Sequence, residues 1–182
     1  MRRAVFLDRD GVVNRAILRE GKPYPPAMLS EFRLLPGVRE ACRKLREAGF
    51  ALILITNQPD IARGVTTAQQ VADIHNRLKR YLQLDDIQVC PHDDSAQCGC
   101  RKPKPGLLLE AARRWDIDLA GSFVVGDRWR DVEAGQRAGC RPIFVDYGYH
   151  EQRPIGPYLR VHSLPEAANW IVRVAQMGLQ YA

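Results

Sequence analysis

Ala4-Val5-Phe6-Leu7 is an unbroken apolar run that leads directly into Asp8-Arg9-Asp10-Gly11-Val12-Val13-Asn14. An apolar run this short reads as a buried strand. Two carboxylates, two residues apart, therefore lie where a central strand ends and a glycine turn begins. At the carboxyl end of a parallel strand, such a pair faces the crevice in which α/β proteins bind ligands. Alternate residues of extended backbone point the same way, so Asp8 and Asp10 can approach one reacting centre. Gly11 allows a sharp turn with no Cβ penalty. A D-x-D pair alone is weak evidence, because many are solvated turn residues. Its meaning depends on what the rest of the chain supplies.

The remainder repeats a strand-then-helix pattern, the signature of a parallel α/β sheet. Residues 15–35 include Pro23, Pro25 and Pro26 and are too long for a mere connector, so a functional flap or small cap remnant is expected there. A helix is expected from Pro36 to near Gly49, with Val38, Ala41, Cys42 and Leu45 on one face. Strand Ala51–Ile55 leads into Thr56-Asn57-Gln58. Another helix starts at Thr67, with Gln70 placed for a capping box and Val71, Ile74, Leu78 and Leu82 as its apolar stripe. His75 is read as lying off that stripe, at the surface. Ile87–Val89 is a short strand, and Pro105 opens a helix with Leu108, Ala111, Ala112 and Trp115 facing inward. Then come strand Ser122–Val125, a helix from about Trp129 to Ala138, strand Pro142–Val145, and a helix capped by Ser163 and Glu166 that ends by Gly178. The predicted architecture is one doubly wound, Rossmann-like α/β domain over residues 1–182, with about five parallel strands and no large cap domain.

A chain of 182 residues is long enough for one domain with a proper core. No apolar stretch is long enough to span a bilayer. Arg2 and Arg3 precede a core strand rather than the longer apolar segment of a signal peptide, so a cytoplasmic protein is expected. The net charge of +6 would permit a nucleic-acid partner, but the arginines are scattered over helix surfaces (Arg39, Arg43, Arg46, Arg77, Arg80, Arg113 and Arg114). There is no lysine-rich tail and no aromatic RNA-binding signature. The expected partner is a small phosphorylated substrate, with no nucleic acid, no membrane and a monomeric state. Five cysteines in a cytosolic chain argue against a disulfide framework. Cys42 and Cys140 read as buried small hydrophobes.

Three predicted strands end in polar residues suited to chemistry: Asp8 and Asp10, then Thr56 and Asn57, then Asp127 with Asp131 one helical turn on. In a parallel sheet these ends converge on one rim. With Arg101-Lys102 added, the rim holds carboxylates for a hard cation, a hydroxyl and fixed positive charge. That combination suits phosphoryl transfer, in which Mg²⁺ takes oxygen ligands and cations neutralise the transferring group. Taken alone, Asp127 and Asp131 would read as helix N-terminal capping residues.

A second cluster is Cys90-Pro91-His92, then Cys98-Gly99-Cys100 after five intervening residues. Two pairs of soft ligands, each spaced i and i+2, can close tetrahedrally on Zn²⁺ as Cys₃His. No ligand position is left open, so a structural zinc in a small loop is expected. Cys100 immediately precedes Arg101-Lys102, so clamping the loop would fix those cations over a phosphate.

Asp8-x-Asp10-Gly11, Thr56-Asn57, Lys102 and Gly126-Asp127-x-x-x-Asp131 resemble the four motifs of the haloacid dehalogenase-like phosphatases, in the same order and at strand ends, over nearly the whole chain. The resemblance implies that Asp8 is the nucleophile and Asp10 the general acid and base. It implies Mg²⁺ held by the Asp8 carboxylate, the Asp10 backbone carbonyl and Asp127, with Thr56 and Lys102 on phosphoryl oxygens. Asp131 would orient Lys102 or a metal-bound water. The zinc loop narrows the resemblance to a branch with two activities. One removes the 7-phosphate of D-glycero-D-manno-heptose 1,7-bisphosphate, in lipopolysaccharide heptose biosynthesis; the other hydrolyses histidinol phosphate. Arg101-Lys102-Pro103-Lys104-Pro105-Gly106 and Ile61-Ala62-Arg63-Gly64 are more similar to the heptose enzymes. On that basis Asn57, Gln58, Arg63, Arg101 and Arg128 are the implied substrate-binding residues. The sequence departs from the family at Pro59-Asp60, where serine-glycine commonly follows Asn-Gln.

Overall fold

A computed structural model of the chain describes residues 1–178. Its main sheet has six parallel strands in the order β5-β4-β1-β6-β7-β8. These are β1 (Ala4–Leu7), β4 (Ala51–Asn57), β5 (Asp86–Cys90), β6 (Phe123–Gly126), β7 (Arg141–Val145) and β8 (Leu159–Val161). A separate antiparallel hairpin joins β2 (Ile17–Arg19) to β3 (Lys22–Tyr24). Among the described residues five α-helices complete the fold: α1 (Val38–Glu47), α2 (Ala68–Leu82), α3 (Gly106–Trp115), α4 (Trp129–Ala138) and α5 (Leu164–Gln176).

The continuous apolar runs are explained by helices on both faces. On one face Val5 and Leu7 of β1 and Leu52 and Leu54 of β4 pack with α1, α2 and α5 through Leu45, Ile74, Leu78 and Ile171. The alternate residues, Ala4, Phe6, Ile53 and Ile55, pack on the other face against Leu107, Leu108 and Ala111 of α3 and Ala134 of α4. The period-2 geometry of each strand thus divides one apolar run between two cores.

The expected helices form where the patterns placed them. Val38, Ala41, Cys42 and Leu45 are all buried on α1. Thr67 and Gln70 close a reciprocal capping box on α2. At α5 the Ser163 hydroxyl accepts from the Glu166 backbone, while Glu166 accepts from the His162 backbone instead of closing the box on Ser163. Cys42 and Cys140 are buried, and the Trp115 indole donates to Asp86 at 2.8 Å at the edge of the core.

The parallel sheet forms as expected, with one strand beyond the five read, because the three-residue edge strand β8 carries too short a pattern to show in the sequence. Within residues 15–35, residues 17–24 fold into the β2–β3 hairpin, whose Glu20-Gly21 turn takes positive φ at both residues. One expectation is corrected. His75 is buried, not at the surface. It lies four residues after Val71 and three before Leu78, which places it on the same helical face.

Candidate active site and metal centre

The three adjacent strands β4, β1 and β6 end side by side, bringing Thr56 and Asn57, Asp8, and Asp127 to one rim. The turn after β1 closes on itself, with the amides of Val13 and Asn14 donating to the Arg9 carbonyl and Gly11 donating to that of Asn14. Gly11 has φ 94°, and an added Cβ would lie 1.9 Å from an Asp127 carboxylate oxygen. Glycine is therefore required both by the turn and by the close approach of Asp127.

Lys102 is buried and bridges two of the carboxylates. Its Nζ lies 2.7 Å from Asp8 and 2.6 Å from Asp131, and donates to the Ile55 carbonyl at 3.0 Å. Burial works against the ammonium, but Asp131 and Asp8 outweigh it and hold Lys102 protonated. Asp8 is pushed up to about 6 by burial, against the pull of Lys102 and with Asp131 and Asp10 adding to the rise. Asp127 is pushed well up by burial and by the charges of Asp8 and Asp131.

Asp8, Asp127 and Asp131 offer oxygens within 4.8 Å of one another. Neither Asp127 oxygen has a hydrogen-bond partner of ordinary geometry, although the Tyr149 hydroxyl approaches closely enough to favour the anion. Three buried carboxylates share one ammonium, and both Asp127 oxygens are buried. That donor set fits a hard divalent cation with oxygen ligands, as Mg²⁺ is.

Asp10 sits beside this cluster in a fixed cradle. Its oxygens accept from Asn14 Nδ2 at 2.9 Å, Gln58 Nε2 at 2.9 Å and Arg9 Nε at 3.1 and 3.2 Å. Gln58 also donates to the Thr56 hydroxyl at 2.8 Å. Asn57 and Lys102 form a reciprocal pair, the Asn57 amide donating to the Lys102 carbonyl and accepting from its N–H, both at 3.1 Å.

The cysteine loop converges as its spacing implies. Five of the six edges among Cys90 Sγ, His92 Nδ1, Cys98 Sγ and Cys100 Sγ measure 3.2–3.6 Å. Tetrahedral zinc with its usual bond lengths has edges of roughly 3.5–3.8 Å, so the four atoms fit that ion. Cys90 ends β5 in the core and Cys100 adjoins Arg101, so the cluster ties the sheet to the cationic segment.

Over the rim lies a cavity of about 400 Å³, lined by Asp8, Asp10, Lys102 and Asp131 at its base and by Arg63, Arg101, Arg128 and Arg130 on its walls. The hairpin residues Lys22 and Tyr24 also line it.

A family model described as HAD-hydrolase-like matches residues 99–167. A D-glycero-beta-D-manno-heptose-1,7-bisphosphate 7-phosphatase of Bordetella bronchiseptica is 39% identical over 149 residues, covering 79% of this chain and 80% of that protein. The protein of the same name from Escherichia coli K12 is 35% identical over 182 residues, covering 93% of this chain and 87% of its own length. The chain belongs to the HAD-like phosphatases. In structure it is similar to the D,D-heptose 1,7-bisphosphate phosphatase of B. bronchiseptica complexed with magnesium and phosphate. The TM-score is 0.83 at 33% identity, over 94% of this chain and 98% of that one. The corresponding Burkholderia thailandensis enzyme aligns with a TM-score of 0.64 at 26% identity, over 94% and 99% of the two chains.

Within this HAD-like phosphatase the residues singled out as substrate-binding fall into two groups. Arg63, Arg101, Arg128 and Asn57 line the cavity. Gln58 is 1% exposed, and its amide donates to Asp10 and Thr56. Asp60, the departure from the family pattern, pairs with Arg63 at 3.3 Å, so its charge is met within the loop. Sequence reasoning passed over Arg9, Asn14, Arg130, Lys22 and Tyr24. For Arg9 a signal existed: between two carboxylates that share one direction, its own side chain starts in the other, toward the interior. Arg130 had only its place one residue before Asp131, and the hairpin residues had none.

Proposed function

We propose that the chain is a Mg²⁺-dependent phosphomonoesterase that removes the 7-phosphate of D-glycero-β-D-manno-heptose 1,7-bisphosphate through an aspartyl phosphate on Asp8. The observation that carries this reading is the joint one: a buried Asp8–Lys102–Asp131 cluster under an arginine-walled cavity, in a chain 39% identical to an enzyme of that name. The β anomer is taken from the names of the relatives.

The Asp8 carboxylate attacks phosphorus in line as the bond to the sugar oxygen breaks. Asp10 gives its proton to that leaving oxygen, so no alkoxide is expelled. Water then attacks the phosphoaspartate, Asp10 takes its proton, and inorganic phosphate leaves with Asp8 restored. Thr56 and Lys102 hold phosphoryl oxygens through the transfer. Asp131 keeps Lys102 charged and aimed. Asp8, the Asp10 carbonyl and Asp127 would hold Mg²⁺, which when bound offsets the repulsion between the Asp8 carboxylate and an anionic phosphate. Zinc on Cys90, His92, Cys98 and Cys100 would fix the segment that carries Arg101 and Lys102. The wall arginines suit the second phosphate of a bisphosphate.

Phosphate release with Mg²⁺ from both anomers of the heptose bisphosphate and from histidinol phosphate tests the reading. The β anomer is expected to have the highest kcat/KM, and Asp8→Asn to abolish turnover. A preference for histidinol phosphate would overturn the substrate assignment, and phosphate release by Asp8→Asn the covalent one.

A further inference from the structure

His75 has no place in the chemistry above, yet its contacts lead directly to Asp10. Arg9 is the largest fully buried side chain among the described residues, at 0% exposure. Its Nε spans both Asp10 oxygens, its Nη2 lies 3.0 Å from Asp10 Oδ2, and its Nη1 lies 3.1 Å from His75 Nε2. A guanidinium can only donate. The contact therefore requires His75 Nε2 to accept, which places the ring proton on Nδ1. Burial and the charge of Arg9 both keep the ring neutral, as that role demands, with its pKa lowered to about 3.

A buried cation without fixed partners reorients or draws in water. Arg9 has one end set by Asp10 and the other by a histidine on α2, a helix anchored in the core through Ile74 and Leu78. Asn14 holds Asp10 Oδ1 and Gln58 holds Oδ2, while Arg9 alone reaches both oxygens, so Arg9 is one of three groups that set the rotation of the carboxylate plane and the one that spans it. Proton transfer depends on that rotation, since donor and acceptor must align within a few tenths of an ångström.

We propose that His75 is a positioning residue. From α2 it orients the buried Arg9, which holds the Asp10 carboxylate at the angle required for its two proton transfers. The inference rests on the phosphatase reading and on Asp10 as its acid and base.

The test compares wild type, His75→Leu and His75→Gln on the sugar bisphosphate and on p-nitrophenyl phosphate. Nitrophenolate departs without a proton, so Asp8 phosphorylation by that ester does not need Asp10, whereas hydrolysis of the phosphoaspartate does. For His75→Leu, kcat on the sugar phosphate is expected to fall by about ten- to a hundredfold with KM nearly unchanged. On p-nitrophenyl phosphate the same variant is expected to release a burst of nitrophenolate at the wild-type rate, followed by a slow steady state. His75→Gln, whose amide oxygen can accept from Arg9, is expected to recover most of the loss. An unchanged kcat in His75→Leu would overturn the proposal. So would a burst slowed as much as the sugar-phosphate reaction, because that pattern means the whole site has loosened. A wild-type protein inactive on both esters would instead overturn the phosphatase reading, and this inference with it.

Discussion

Replacing Lys102 by Met should move stability, metal affinity and activity in different directions. Met keeps the length and unbranched shape of the stem and removes only the charge and its donors. The ammonium lies 2.7 Å from Asp8 and 2.6 Å from Asp131, and the three side chains are 3%, 10% and 2% exposed. Removing one partner of a buried pair costs about 3–5 kcal/mol, because the other charge is left uncompensated. For a chain of this size that is a Tm lower by roughly 6–20 °C in metal-free buffer. The same change removes the positive charge that the carboxylate cluster shares. Even at the dielectric of water, a unit positive charge about 4 Å from a dication repels it by roughly 2 kcal/mol, so Mg²⁺ should bind Lys102→Met about thirtyfold more tightly. Turnover should fall by at least about a hundredfold if Lys102 holds phosphoryl oxygens as proposed above. The stability deficit should narrow as pH falls toward about 6, because Asp8, without Lys102 to hold its pKa down, takes up its proton above the wild-type value and one of the repelling charges disappears. Thermal melts with and without chelator, and calorimetric Mg²⁺ titration, supply the readings. A metal-free Tm within about 2 °C of wild type, together with unchanged Mg²⁺ affinity, would show that Lys102 is not the counter-ion of this cluster.

Two further outcomes are expected. The gain in Tm on adding Mg²⁺ should be small near pH 5 and grow toward pH 7.5, because protons on Asp8 (pushed up to about 6) and Asp127 compete with the cation. His75, depressed to about 3, raises stability with pH over part of that window, but it does so with or without metal and cancels in the difference; a pH-independent gain would refute the carboxylate site. Cys98→Ser should reduce bound zinc from about one per chain and lower kcat by about a hundredfold, with the far-UV spectrum unchanged. Full activity in a zinc-free preparation would remove the cluster from any role in placing Lys102.

Local signals in the sequence are those that chemistry confines to a few adjacent residues. The Thr67–Gln70 box, the turn at Gly11 and the two i, i+2 ligand pairs each need no knowledge of distant chain, and each forms as its pattern implies. The apolar runs of β1 and β4 were legible because burial on both faces leaves no polar position to confuse the reading. What stayed hidden depends on partners far apart in sequence. Strand β8 is held by pairing with β7, not by its own three residues. The Asp131–Lys102 pair joins α4 to the segment beyond the zinc loop; no spacing announces it, and only the family resemblance offered Lys102 as a partner for Asp131. The hairpin turn is placed partly by His150, whose amide donates to the Gly21 carbonyl from more than a hundred residues away.

The net charge of +6 also takes on a local meaning in the cavity. Six cations line it, Lys22, Arg63, Arg101, Lys102, Arg128 and Arg130, against five carboxylates, Asp8, Asp10, Asp60, Asp94 and Asp131. Most of these cations already have an internal anion. Arg63 pairs with Asp60, Arg101 and Arg130 with Asp94, Arg128 with Glu151, and Lys102 with Asp8 and Asp131. Held side chains keep their geometry before substrate arrives, which is the condition for electrostatic stabilisation without reorganisation. The same pairing weakens attraction for anions in general, because each new contact must compete with a carboxylate at close range. A ligand with two phosphates at the right separation can compete at the base and at the walls together, whereas a single phosphate competes at only one of them. Asp94, 64% exposed and shared by Arg101, Arg130 and Arg63, is the most exposed of the carboxylates paired with the wall arginines, so under the proposed function it is the one a second phosphate would displace at least cost.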